Sequence, residues 1–251
     1  MPGSDRERRA LAQLADRPLN FDPAELAAAT PQRGWHLDDY RRPLPAEPPG
    51  EPVPGASFQI ARRLMSDYAF ADPAIVRAVF DPAAGLPDRN MLLEARFGPL
   101  RFLLGCRVGA VTDEARTVDG RPLRVWGWSY GTLAGHFERG QMDFAVWKWL
   151  DDGAVEFRIH AVSQRANAGN PVVRLGFRLL GRRRQVRFAR RACERMAQLV
   201  ERELAQAPSA AADEDRAAQL GAQRGAVAQQ RGVGDGDERH LPPAHAEEQL
   251  P

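Results

Sequence analysis

Apolar and polar residues alternate through much of the stretch from residue 91 to residue 161, and beyond residue 185 the repeat lengthens to three or four. Met91, Leu93, Ala95 and Phe97 alternate with Leu92, Glu94 and Arg96, and Gly98-Pro99 marks a turn. Phe102, Leu104, Cys106 and Val108 line one face of the next run. A strand sends successive side chains to opposite faces, so these runs predict half-buried strands. Asp119-Gly120 and Asp152-Gly153 are hairpin signals, because the tight turn of a hairpin needs positive φ. A strand over residues 123–133 leads into a glycine-rich loop. Met142, Phe144 and Val146 then alternate with Asp143, Ala145 and Trp147, and Val155, Phe157, Ile159 and Ala161 close the set. Upstream, residues 58–65 read as a further strand, and residues 72–80 as a short helix capped by Asp72 and ended by Asp81-Pro82.

Past Asn170-Pro171 a short helix over residues 172–180 precedes a long one. There Val186, Ala189, Cys193, Met196, Val200 and Leu204 form one apolar stripe on an arginine-covered helix. An antiparallel sheet has an apolar face to cover, and this helix is the available cover. The expected fold is therefore α+β, a curved antiparallel sheet wrapped on a long C-terminal helix, with strong curvature leaving a cavity between them. Residues 1–56 read as an N-terminal extension. It has a helical pattern over 5–15, a helix start at Asp22-Pro23 and a proline-rich connector over 43–54. The domain spans residues 57–205. Residues 206–251 contain no aromatic residue and few large aliphatics, too little apolar area to offset the entropy of ordering, so they read as a disordered acidic tail.

Composition narrows the classes. The 251 residues are 43% hydrophobic and 27% charged, which is globular. No apolar run reaches the roughly 18 residues of a membrane span, and no apolar core marks a secretory signal. Cys106 and Cys193 fall on apolar periodicities and read as reduced core residues, which with the rest places the protein in the cytoplasm. The net charge of +2 is uneven: residues 206–251 hold 4 Arg against 8 Asp and Glu, leaving +6 on the first 205 residues. Lys148 is the only lysine among 35 Lys and Arg, a bias typical of GC-rich coding that weakens any nucleic-acid argument from basic residues.

Three motifs have a specific wording: Tyr130-Gly-Thr-Leu-Ala-Gly-His136-Phe-Glu138-Arg-Gly140, Val155-Glu-Phe-Arg-Ile-His160-Ala-Val-Ser163, and the arginine-rich final helix. Together, over roughly residues 21–204, they resemble DUF1990, a bacterial and plant family of unknown function (UPF0548-like). The stretch from Arg62 to Pro73 looks like its actinobacterial branch. The family is similar to the helix-grip superfamily of Bet v 1 and START proteins, and that resemblance implies a helix-grip fold with a hydrophobic pocket. Members often carry an acidic residue just after the motif's last glycine, where this chain has Gln141. The resemblance supplies no catalytic residues.

Tyr130, His136 and Glu138 are the candidate acid–base residues. Histidine titrates near neutral pH, and positions 136 and 138 of an extended segment point the same way, so a carboxylate could orient the ring. The alternative is structural: Gly131, Gly135 and Gly140 shape a tight connection, and His136 and Glu138 satisfy its backbone. Trp126, Trp128, Trp147, Phe157 and His160 are the candidate ligand-binding residues, the aromatics lining either a pocket or a solid core. For His160 a cross-strand pairing with a carboxylate is the competing role. His-x-Glu opens the zinc-deaminase signature, but no Pro-Cys-x-x-Cys follows, so no metal is implied. Phosphate-binding glycine loops and a nucleophile elbow are missing as well, and no cofactor is implied.

From Arg158 to Arg202 there are twelve arginines against Glu194 and Glu201, a face suited to an acidic partner but equally to solvent. Without further motifs this argues against nucleic acid. The leading expectation is a small, largely apolar ligand bound in a helix-grip cavity. The others are an enzyme using Tyr130, His136 and Glu138, and an interaction module acting through the arginine-rich helix.

Overall fold

The computed structural model describes residues 4–97, 100–166 and 182–206. Among them, seven strands form one antiparallel sheet in the order β1-β7-β6-β5-β4-β3-β2. The strands are β1 (His36–Leu44), β2 (Val76–Val79), β3 (Asn90–Phe97), β4 (Leu100–Val118), β5 (Arg121–Thr132), β6 (Glu138–Trp149) and β7 (Val155–Arg165). The helices are α1 (Asp5–Ala12), α2 (Pro23–Ala27), α3 (Ser57–Ser66) and α4, which covers residues 182–206.

Strands β3 to β7 form where alternation predicts them. Their inward residues Leu104, Cys106, Val108, Phe144, Val146, Val155, Phe157 and Ile159 are all buried. Asp119 and Gly120 both take positive φ (51° and 76°), the geometry that lets two twisted strands close a two-residue turn. A register shift between Val108 and Val111 interrupts the β4–β5 ladder and bends the sheet. The α4 stripe enters the same core through Ala189, Cys193, Met196 and Val200, joined by Phe188, Ala192 and Ala197. The result is the helix-grip α+β fold, a curved sheet closed by its C-terminal helix. No helix among the described residues is long and apolar enough to cross a membrane.

Three elements differ from the sequence expectation. Residues 58–65 form helix α3, not a strand. Phe58, Ala61, Leu64 and Met65 are buried at helical spacing, and the run is rich in helix formers. Residues 72–80 form no helix: Asp72 Oδ1 receives the Ala74 N–H in a local turn, and the β-branched residues beyond it enter β2, paired to β3. Strand β1 runs into the proline-rich connector. It tolerates Pro43 because it is an edge strand, pairing only with β7. The expected helix over 172–180, the turn at Gly98-Pro99 and the expected tail past residue 206 lie outside the described residues.

One buried ion pair holds the connector to the sheet. Lys148, fully buried on the inner face of β6, donates to Glu47 Oε2 at 2.7 Å and to the Glu51 carbonyl at 2.9 Å. The Glu47 carboxylate also receives the N–H groups of Phe58 (2.7 Å) and Val53 (3.1 Å). Ala56 offers no side chain to cap α3, so Glu47 satisfies an orphan donor of its first turn from eleven residues upstream.

Candidate functional site

Strand β5 presents Trp126, Trp128 and Tyr130 to the inner face because Gly127, Ser129 and Gly131 take the alternate positions. Glycine at 131 lets the N-terminal segment lie on the outer face: a Cβ there would meet Leu19 Cδ2 at 2.7 Å and Phe21 Cζ at 3.1 Å. That segment straps the loop between β5 and β6. Leu19 bridges Leu133, Asn20 N–H donates to the Thr132 carbonyl at 3.1 Å, and Asn20 Nδ2 donates to the Glu138 carbonyl at 2.9 Å. Thr132 Oγ1 donates to Asn20 Oδ1 at 2.6 Å and receives the Gly140 N–H at 2.9 Å. Gly140 has φ of 140°, and a Cβ would fall 2.0 Å from the Val162 carbonyl oxygen, so only glycine closes this corner.

The strapped loop buries His136. Its Nδ1 receives the Glu138 N–H at 3.0 Å, and burial pushes its pKa down to about 4, so the imidazole is neutral at physiological pH. Beside it, between the inner sheet face and α4, lies a pocket of about 120 Å³ that opens to solvent on one side. Leu93, Leu104, Met142 and Phe188 supply apolar lining, and Tyr68, Tyr130, His136 and Glu138 polar atoms. Ser163 Oγ receives a hydrogen bond from Gln185 Nε2 at 2.9 Å, tying β7 to α4 at the lining.

Glu138 keeps some accessible surface, but protein surrounds its carboxyl closely. Burial pushes the pKa up to about 7; Asp38 adds to the rise, while Arg182 and Arg165 oppose it. The carboxyl has no hydrogen-bond or ion-pair partner among the described residues. Of the nearby cations, Arg182 pairs with Asp38, and Arg139 pairs with Glu25 at 3.0 Å and donates to Gln164 at 2.8 Å, whereas Arg165 stands directly across the β6–β7 ladder from Glu138. Tyr130 Oη meets Met142 Sδ at 3.5 Å, and the Tyr68 and Tyr130 hydroxyls are hydrogen-bond neighbours. Burial raises the pKa of both phenols, so both remain protonated.

The structure thus gathers Tyr130, His136 and Glu138 at one cavity. It does not join His136 to the Glu138 carboxyl; the ring is bonded to the Glu138 backbone. The five expected ligand-binding residues do not come together there. Trp126 is buried with Arg62 5.2 Å from its ring, and Trp128 packs on Phe144 at 5.1 Å and Tyr68 at 6.0 Å. Phe157 is fully buried against Phe70. Trp147 and His160 lie on the outer face, because β6 and β7 turn Phe144, Val146, Phe157 and Ile159 inward. There Arg158 covers Trp147 at 3.6 Å and His160 Nδ1 bonds Asp39 at 2.9 Å.

An outer hollow of about 400 Å³ adjoins these last two residues. It is larger, but its polar lining residues His160, Asp143, Arg158 and Arg116 each have a neighbouring partner. Among the described residues no group of three or more His, Cys, Asp or Glu side chains is placed to hold a metal ion. Sequence reasoning missed Tyr68, Asn20 and Thr132. Tyr68 lies in the Arg62–Pro73 stretch already noted as distinctive, and the two others bond backbone far away in sequence.

A family model described as a domain of unknown function, DUF1990, matches residues 22–195. Among solved structures, the chain is similar to the crystal structure of Ara h 8.0201 at 11% identity and a TM-score of 0.38, covering 66% of this chain and 98% of that one. It is also similar to human STARD10 at 10% identity and a TM-score of 0.32, covering 83% and 86%. No curated protein matches.

Proposed function

The chain belongs to the DUF1990 family, and on that premise we propose that it binds a small, largely apolar molecule in the cavity between the inner sheet face and α4. The observation that carries this reading is a pocket of about 120 Å³, open to solvent on one side and lined chiefly by apolar side chains between the sheet and α4. A concave, mostly apolar site with a few polar groups is the usual form of a small-molecule site. Size sets the class. A cavity of roughly 150 Å³ accepts benzene, so the part of the occupant held inside is about one ring in bulk.

Acid–base catalysis is less well supported, because His136 spends Nδ1 on the backbone and makes no bond to the Glu138 carboxyl. For an acidic partner on α4, Arg183, Arg187 and Arg190 are exposed while Arg182, Arg191 and Arg195 are engaged within the fold, and no further feature points to such a partner.

The test is a thermal-denaturation titration with toluene. Toluene raises Tm of the wild-type chain, and Ala95→Leu, which pushes a larger side chain into the cavity, abolishes the rise. An equal rise in both proteins, or none in either, excludes the cavity as the site.

A further inference from the structure

We infer that the molecule bound in this pocket presents an uncharged hydrogen-bond acceptor, a carbonyl oxygen, to the Nε2–H of His136, with its apolar body against Leu93, Leu104 and Phe188. The inference rests on the pocket reading and adds the head-group chemistry to it.

The backbone around His136 fixes where its proton sits. Ala166 N–H bonds the Phe137 carbonyl at 3.0 Å, which makes Glu138 and Arg165, the next pair of the β6–β7 ladder, a non-hydrogen-bonded pair. The N–H and carbonyl of Glu138 therefore turn away from β7 and find partners on the other side of β6. Asn20 Nδ2 meets the carbonyl at 2.9 Å. His136 Nδ1 lies 2.9 Å from that same oxygen and 3.0 Å from the Glu138 nitrogen. The carbonyl is already met, whereas the N–H has no other acceptor among the described residues, and buried backbone donors are rarely left unpaired. Nδ1 is therefore the acceptor, in the place an Asx-turn oxygen takes when it receives the N–H two residues on. A neutral imidazole that accepts at Nδ1 carries its proton on Nε2. Burial keeps this ring neutral at physiological pH.

His136 is only 6% exposed and lines the pocket, and no described residue receives its Nε2–H. A polar side chain so deeply buried normally has its donors paired, because an unmet one forfeits its bond to water. Other side-chain donors on the lining are spent within the fold. Gln141 donates to Asp143 at 2.7 Å, Gln185 to Ser163 at 2.9 Å, and Arg139 to Gln164 at 2.8 Å. The wall thus offers an uncharged N–H, and its match is an acceptor.

Charge selects among acceptors. The neutral ring gives a carboxylate no opposite charge, and the lining guanidinium groups of Arg139 and Arg184 already have partners. A bound carboxylate would also face the Glu138 carboxyl whenever that group is ionised, and like charges at close range repel. A ketone, aldehyde or ester carbonyl meets the N–H without either cost.

The test compares three one-ring probes, acetophenone, α-methylstyrene and benzoate, by calorimetric titration of the full chain. α-Methylstyrene has the shape of acetophenone with a methylene group in place of the oxygen. Acetophenone binds about fivefold tighter than α-methylstyrene, the worth of one net hydrogen bond, and tighter than benzoate. In His136→Asn, whose Oδ1 still receives the Glu138 N–H, the ketone's advantage disappears while α-methylstyrene still binds. Two measurements on the wild-type chain hold even if that variant fails to fold. The infrared carbonyl stretch of bound acetophenone moves to lower frequency than in an apolar solvent, and nitrogen NMR finds the His136 proton on Nε2. Equal affinities for acetophenone and α-methylstyrene overturn this inference alone. So do an unshifted stretch, a proton on Nδ1, tighter binding of benzoate, or a ketone preference that survives in His136→Asn. Failure of all three probes to bind overturns the pocket reading and this inference with it.

Discussion

Glu47 and Glu138 are carboxyl groups serving opposite ends of β6, roughly 33 Å apart along the strand at 3.3–3.4 Å per residue, and the fold treats them differently. Glu47 is met by Lys148 and by two backbone N–H groups, and it fastens the proline-rich connector, α3 and β6 into one corner. Glu138 lines a pocket open to solvent, accepts no side-chain hydrogen bond among the described residues, and has Arg165 across the ladder as its neighbouring charge. A fully met buried charge explains itself as structure; a carboxyl at an open pocket is free to meet a ligand. Glu138 is therefore the place to look for a ligand, and Glu47–Lys148 is not, even though Lys148 is the only lysine in the chain and would attract attention in a search for reactive groups.

The largest effect should come from breaking the closed corner. Lys148→Met leaves the Glu47 charge buried and is expected to cost about 3–5 kcal/mol in a urea unfolding experiment. Adding Glu47→Leu should recover most of that, but not the roughly 1 kcal/mol for each backbone N–H it orphans. A Lys148→Met loss below about 1 kcal/mol would mean that the corner is not held as described.

The open end should show itself in pH dependence. Glu138 in the folded chain keeps its proton up to about pH 7, whereas an unfolded glutamate releases it near 4.5. The folded state thus holds more protons between those values, and stability falls as pH rises through that window. His136 acts in the opposite sense. It stays neutral when folded down to about pH 4, while the unfolded ring takes a proton near 6.5, so stability falls as pH drops through that interval. The two slopes oppose each other where they overlap, between about 4.5 and 6.5. In Glu138→Gln only the histidine slope remains. Stability at pH 8 should rise by on the order of 2 kcal/mol over the wild type, and the gain should vanish near pH 4.5. Denaturant midpoints measured from pH 4 to pH 8 check this; identical profiles for the two proteins would mean that Glu138 is well solvated.

The smallest effect sharpens the contrast most finely. Tyr68→Phe removes the hydroxyl that neighbours the Tyr130 hydroxyl, and losing that contact should cost about 1 kcal/mol by thermal denaturation. An unchanged or raised midpoint would show that the two phenols do not bond in solution.

Much of the sheet was legible because its signal is local. From Met91 to Ala161 the two-residue period and the Asp-Gly turns state which residues face inward, and the α4 stripe states which helix face meets them. Trp126, Trp128 and Tyr130 do share the inner face. Whether they border a space or fill it depends on the volumes of Phe70, Phe144 and Phe157, contributed by other elements, and the two tryptophans lie in solid packing. Trp147 reads like its aromatic neighbours, but one position of register sends it outward under Arg158. A strand period gives two faces and does not say which is the core.

The elements that escaped were those whose conformation is set from a distance. Residues 58–65 alternate well enough to read as a strand, yet they form α3, whose first turn is capped by Glu47 from the connector. Strand β1 contains a proline and forms because β7 offers it an edge, and β2 forms because β3 does. The same division runs through the candidate site. The sequence by itself determined the inner-facing strands, the amphipathic closing helix and the presence of Tyr130, His136 and Glu138 in one short segment, because periodicity and turn chemistry act over a few neighbouring residues. Only the tertiary structure decided that His136 bonds backbone, that Tyr68 arrives beside Tyr130 from the end of α3, and that Arg165 stands across the sheet from Glu138. Hydrogen-bond satisfaction and cavity volume are sums over residues far apart in the chain, and no local pattern contains them.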